Sequence, residues 1–139
     1  MTPDLPRHQG QRQQLLALLR SKGIKNERVL EAMGRIPRHA FLESSFEEFA
    51  YQDIAFPIAA GQTISQPYTV AFQSDALGLA EGAKILEIGT GSGYQAAVLE
   101  EMGYRVYTIE RQKALFDFSK RLLDELGYRR IQQKFGDGY

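Results

Sequence analysis

The sequence predicts an α/β fold, and three observations carry that expectation. An apolar run from Ala83 to Ile88 leads into three glycines at alternate positions, Gly89, Gly91 and Gly93. A helical pattern, Tyr94 to Met102, follows at once and meets a stop signal at Gly103. A second alternating run, Tyr104 to Ile109, then ends in an acid, Glu110. Strand, glycine turn, helix and strand form the corner at which open α/β sheets bind their ligands.

Composition narrows the possibilities. The 139 residues suffice for one domain with a core, and 43% apolar with 24% charged residues is ordinary globular composition. Lys plus Arg and Asp plus Glu both number 17, so the net charge is zero. That gives no reason to expect nucleic acid or an anionic membrane as a partner. There is no cysteine, which excludes disulfides, a thiolate nucleophile and cysteine metal sites. His8 and His39 lie far apart in sequence and offer no metal-ligand spacing, so no metal is expected. No stretch is long and apolar enough for a membrane span, and the N-terminus lacks an apolar signal core. A cytoplasmic protein is the expectation.

The elements read in order as follows. Met1 to Pro6 is an irregular arm. Arg7 to Lys22 is a helix, with Leu15, Leu16, Leu18 and Leu19 at helical spacing and Gly23 as its stop. Asn26 caps a second helix, Glu27 to Arg35, that points Val29, Leu30 and Met33 inward and ends before Pro37. Arg38 to Leu42 is one more helical turn. Ser44 to Gln52 is mixed, with Phe46, Phe49 and Tyr51 as apolar anchors. Ile54 to Ile58 is a short extended piece containing Pro57.

Ser65 reads as the N-cap of a third helix, with Pro67 early in it, where its missing N–H costs nothing. That helix runs to about Leu79 and offers Val70, Phe72, Ala76 and Leu77 for packing. Ala83 to Ile88 is a short buried strand. The helix and strand after the glycines lead to another helix, Gln112 to Leu126, and a third strand, Ile131 to Phe135, before Gly136-Asp137-Gly138-Tyr139. There is no internal repeat.

The glycine spacing carries chemistry. A dinucleotide fingerprint places its third glycine three positions after the second. This chain has Glu87-x-Gly89-x-Gly91-x-Gly93 instead. That pattern resembles the first motif of S-adenosylmethionine-dependent methyltransferases. Their ligand has no phosphate but carries a cationic sulfonium and an ammonium, which an acid at the end of the first strand suits. Thr90 and Ser92 fall inside the same turn. Glu110, roughly 20 residues beyond the glycines, stands where such sites hold ribose hydroxyls. A carboxylate is a pure acceptor and takes two hydroxyl donors at once. The plain alternatives are a tight turn with no ligand, and a charge at the start of the next helix.

A second stretch is more specific. Gly61-Gln62-Thr63-Ile64-Ser65-Gln66-Pro67-Tyr68 is absent from methyltransferases in general. With Leu86 to Gln95, Glu110-Arg111 and Gly136-Asp137-Gly138, it closely resembles the bacterial protein-L-isoaspartate O-methyltransferase family. Ile36-Pro37-Arg38-His39-Ala40-Phe41 and Tyr51-Gln52-Asp53 also match. The resemblance spans nearly the whole chain.

That resemblance implies an enzyme that transfers a methyl group from S-adenosylmethionine, leaving S-adenosylhomocysteine. The acceptor is the free α-carboxylate of L-isoaspartyl residues in damaged proteins. The ester then collapses to a succinimide that partly hydrolyses to normal aspartyl, which is protein repair. Ser65 is the family's catalytic position. Gln62, Thr63 and Ile64 are implied on the substrate side. Glu87, Gly89, Thr90, Gly91, Ser92, Gly93, Glu110, Gly136 and Asp137 are implied at the cofactor.

The family's domain continues past Gly-Asp-Gly, so the chain is expected to be truncated. The expected layout is an N-terminal helical segment, 1–60, and a partial Rossmann-like methyltransferase domain, 61–139, holding the first half of the sheet. An open strand edge then predicts self-association. The alternatives are a cofactor-binding fragment without turnover, another small-molecule methyltransferase and, more remotely, a nicotinamide-dependent oxidoreductase.

Overall fold

The computed structural model describes residues 3–138. Met1 and Thr2 of the expected arm, and Tyr139, lie outside the described residues.

Helix α1, Pro6–Ser21, starts with proline at its first position, where no N–H is required. Helix α2, Glu27–Gly34, is capped by Asn26, whose side chain accepts from the Arg28 N–H at 3.0 Å. Val29, Leu30 and Met33 are buried as the spacing predicts. Two short 3₁₀ segments follow, Arg38–Phe41 and Ser44–Phe49. Strands β1, Phe56–Pro57, and β2, Thr63–Ile64, pair antiparallel.

After helix α3, Pro67–Ala76, come strand β3, Lys84–Ile88, helix α4, Tyr94–Glu101, and strand β4, Arg105–Glu110. Helix α5, Lys113–Glu125, and strand β5, Gln132–Phe135, complete the described chain. The three longer strands form one parallel sheet in the order β3-β4-β5. Parallel neighbours require crossover helices, and α4 and α5 are those crossovers.

One core joins the N-terminal helices to the sheet. Leu19, Leu30 and Met33 belong to the same buried cluster as Ala97, Val98 and Leu99 of α4. Helices α2 and α3 pack on α4, which in turn packs on β4.

The structure corrects several local expectations. Strand β3 is not buried: Leu86 and Ile88 are 60% and 61% exposed, because it is an edge strand paired only with β4. Helix α3 ends at Ala76, and Phe72, Ala76 and Leu77 face outward while Val70, Ala71 and Ser74 face inward. Phe49 is exposed rather than an anchor, whereas Phe46 packs on the core and Tyr51 is buried.

His8 and His39, distant in sequence, stack with ring centroids 3.7 Å apart. One oxygen of Asp4 lies within 4.8 Å of their ring nitrogens. Each nitrogen already has a protein partner: Leu5 N–H and Glu47 for His8, Tyr51 hydroxyl and Pro3 carbonyl for His39. This full satisfaction makes the pair a polar clasp that pins the start of α1.

Candidate functional site

The site is built where β3 and β4 end and the β2–α3 connection crosses above them. The glycine turn is fixed first. Gly89 and Thr90 both donate backbone N–H bonds to the Ile109 carbonyl, at 2.7 and 3.2 Å, which ties the turn to β4. Gly91 has φ 57° and Gly93 φ 90°, in the left-handed region that favours glycine. A side chain at Gly93 would also meet Leu123 at 3.1 Å, so both backbone and space demand glycine there.

The hydroxyls of the turn are turned into the scaffold. Thr90 Oγ1 lies 2.6 Å from Thr108 Oγ1, and the Thr108 hydroxyl donates to Glu87 Oε1 at 2.7 Å. Thr90 is therefore the donor to Thr108, and a buried relay runs from Thr90 through Thr108 to the Glu87 carboxylate. Ser92 Oγ accepts from the Tyr94 N–H at 3.1 Å, filling a backbone donor at the start of α4. Thr90 and Ser92 are both buried.

Two carboxylates flank the turn. Burial pushes the Glu87 carboxyl up to about 7; the Thr108 hydrogen bond opposes this and the Glu110 charge adds to it. Glu110, itself buried, accepts from the Gly91 N–H at 2.9 Å and from the Gln112 N–H at 2.8 Å. The Gly136 N–H bonds to the Glu110 carbonyl at 2.9 Å, which brings the end of β5 to the same edge.

Two clefts meet across the turn. One, of about 420 Å³, is lined by Gln62, Thr63, Glu110, Gly136 and Asp137. The other, of about 400 Å³, is lined by Ile64, Ser65, Glu87, Thr90 and Ser92. Thr63, Ile88, Gly89 and Gly91 border both. Of the residues picked out in the sequence, all except Gly93 line one cleft or the other. Gly93 lies behind the turn, against α5.

Ser65 does not cap α3. The N-cap position is Gln66, with no side-chain hydrogen bond from it. The cap comes from Asp53, whose Oδ1 accepts the Tyr68 N–H at 2.7 Å and whose Oδ2 accepts Gln66 Nε2 at 3.2 Å. Burial raises the Asp53 carboxyl, but Lys22, which pairs with it, and these two hydrogen bonds together hold it below the usual range. Ser65 is left exposed at the mouth of the second cleft.

Asp53 and Arg38, which lies beneath Ser65, are the supports that reasoning from local spacing missed. Both sit in stretches quoted for the resemblance, but their partners are distant in sequence. Thr108 was missed too; a polar residue on the inward side of the alternating β4 pattern was its only signal.

A family model described as protein-L-isoaspartate(D-aspartate) O-methyltransferase matches residues 10–139. The protein-L-isoaspartate O-methyltransferase of Christiangramia forsetii is 61% identical over 136 residues, covering 98% of this chain and 64% of the relative. That of Flavobacterium psychrophilum is 60% identical with the same coverage. The chain thus spans about 64% of the length of these curated relatives. Among solved structures, a protein-L-isoaspartate O-methyltransferase superposes with TM-score 0.83 at 31% identity, over 92% of this chain and 43% of that one. A Plasmodium falciparum chain named for the same activity, solved in complex with S-adenosyl-L-homocysteine, superposes over 91% of this chain and 61% of its own, with TM-score 0.73 at 24% identity. It supports the fold alone.

Proposed function

The chain belongs to the protein-L-isoaspartate(D-aspartate) O-methyltransferase family, and from that premise we propose that it carries the cofactor-binding half of such an enzyme and its substrate-orienting serine. The observation that carries this reading is the meeting of two clefts across Gly89–Gly91, with Glu110 and Asp137 on one side and Glu87 and Ser65 on the other.

The donor set fits S-adenosylmethionine. Glu110 keeps lone pairs beyond those used by Gly91 and Gln112, so it can also accept from ribose hydroxyls. Asp137 and Gly136 border the same cleft and are assigned to the adenine end. Glu87, when ionised, offsets the ligand's positive charge. The glycine backbone lets the ligand lie against main chain. S-adenosylmethionine supplies a methyl group already activated by its sulfonium.

Little chemistry remains for side chains. The acceptor carboxylate is ionised at neutral pH and needs no base. We assign to the Ser65 hydroxyl a hydrogen bond to one carboxylate oxygen, leaving the other free to take the methyl. Gln62, Thr63 and Ile64 border the path by which an isoaspartyl segment enters. Holding reactants in line with water excluded supplies much of the rate. The substrates under this reading are proteins carrying isoaspartyl residues, and the product is an ester that leads to repair.

We retain 1–60 as an N-terminal helical segment and 61–139 as a partial Rossmann-like domain. No helix among the described residues is long and apolar enough to cross a membrane. The cytoplasm, where S-adenosylmethionine and ageing proteins coexist, is the compartment this function implies. A second reading is that the 139-residue polypeptide alone binds cofactor without turnover, favoured by the exposed Leu86 and Ile88 beside the clefts.

Titration with S-adenosylhomocysteine and, separately, with NAD tests the cofactor. Binding of the first and not the second is expected. NAD binding would move the chain toward oxidoreductase chemistry.

A further inference from the structure

We propose that Arg38 is a positioning residue for the methyl transfer, acting through Ser65; the role rests on the reading of the site given above. Arg38 is fully buried, at 0% exposure. Its Nε donates to the Ala50 carbonyl at 2.9 Å, and its Nη2 donates to the carbonyls of Ile54 at 3.3 Å and Ser65 at 3.1 Å. Its guanidinium carbon lies 4.9 Å from the centroid of the Tyr94 ring. Its Nη1 is, among the described residues, the one buried side-chain nitrogen or oxygen with no hydrogen-bond partner.

A buried cation with an unsatisfied donor is a costly way to fill a core. What it supplies is connection. Its three carbonyls come from the end of the second 3₁₀ segment, the approach to β1 and the β2–α3 hinge. The ring belongs to the first residue of α4, directly after the glycine turn. One rigid, planar fork thus links the backbone of Ser65 to the helix that opens on the cofactor cleft. Asp53 grips the same hinge from its other flank through Gln66 and Tyr68. With its backbone held on both sides, Ser65 presents its hydroxyl from a fixed base rather than from a free loop. The Tyr94 side chain lies against the guanidinium and favours its charged form.

The test uses protein expressed from its complete gene. Turnover on an isoaspartyl peptide is measured for the unaltered protein, Arg38→Lys, Ser65→Ala and the double variant, with S-adenosylhomocysteine affinity alongside. Lysine keeps the charge but cannot span three carbonyls. Arg38→Lys is expected to lower kcat on the order of 10- to 100-fold, the scale of a small misplacement of a reacting group. S-adenosylhomocysteine affinity is expected to stay within about twofold, since the carbonyls that Arg38 holds belong to none of the residues assigned to the cofactor. In the Ser65→Ala background the same change is expected to cost nothing further, because the group it positions is gone.

An unchanged kcat, or an equal loss in both backgrounds, would overturn the role. If Arg38→Lys does not fold, Tyr94→Leu replaces it: the ring face is lost and the carbonyls remain. Its kcat loss is expected to vanish likewise in the Ser65→Ala background, and additivity there would overturn the proposal. Absence of methyl transfer in the unaltered protein would instead overturn the functional reading, and the role of Arg38 with it.

Discussion

Glu110 Oε1 accepts a hydrogen bond from the backbone N–H of Gly91 at 2.9 Å. The carboxylate at the end of β4 therefore holds the glycine turn in shape as well as facing the cleft. Reading it only as a ligand for ribose, or only as a helix-terminus charge, misses that it does two jobs with four lone pairs.

Glu110→Gln tests this double role. A glutamine keeps the size but presents one acceptor and one donor to two backbone N–H groups. Affinity for S-adenosylhomocysteine is expected to fall by about 1–3 kcal/mol, the worth of a charge-assisted hydrogen bond. Thermal stability is expected to fall with it. Calorimetry that finds lower stability but unaltered affinity would reduce Glu110 to a clamp on the turn.

Ser65→Ala separates catalysis from capping. Because Asp53 rather than Ser65 caps α3, stability is expected to change by less than about 0.5 kcal/mol, as at ordinary surface positions. Methyl transfer is expected to drop on the order of 10- to 100-fold through lost alignment. Equal turnover in the folded variant would remove Ser65 from the mechanism.

The Glu87 carboxyl, raised to about 7 by burial, gives two opposite pH dependences. In the ligand-free fold it holds its proton more tightly than in the unfolded chain. Its contribution to stability is therefore complete below the ordinary carboxylate range and is lost as pH rises toward 7. Affinity for the cationic cofactor should move the other way, strengthening as pH rises through 7 and Glu87 ionises. Glu87→Gln should flatten both trends. Denaturation and binding series from pH 5 to 8 that are the same for both proteins would contradict the coupling.

The sheet corner was legible because its signals are local. The glycines force one turn, the alternation of Arg105 to Glu110 marks one strand, and Asn26 caps its own helix. The supports of Ser65 were not legible, because Arg38 and Asp53 reach it across the fold, from 27 residues away in one case. Tertiary satisfaction also decided the histidines: nothing in their spacing shows that His8 stacks on His39. The outward turn of Phe72 and the exposure of Leu86 and Ile88 follow from which faces find a neighbour, a property of packing rather than of periodicity.

The 139-residue polypeptide by itself is expected to self-associate. Among the described residues β3 pairs on one side only, and its Leu86 and Ile88 are largely exposed. Open apolar edges template pairing with other chains. Sedimentation velocity should show growth in mass with concentration, reduced by Leu86→Lys with Ile88→Lys. A monomer at all concentrations would contradict the expectation.

The central claim is methyl transfer to an isoaspartyl carboxylate. The decisive measurement is the incorporation of labelled methyl from S-adenosylmethionine into paired peptides that differ only in carrying L-isoaspartyl or normal L-aspartyl, with protein expressed from the complete gene. The account predicts base-labile methyl ester on the isoaspartyl peptide and none on its aspartyl twin. Label on neither peptide, or on both alike, would contradict it.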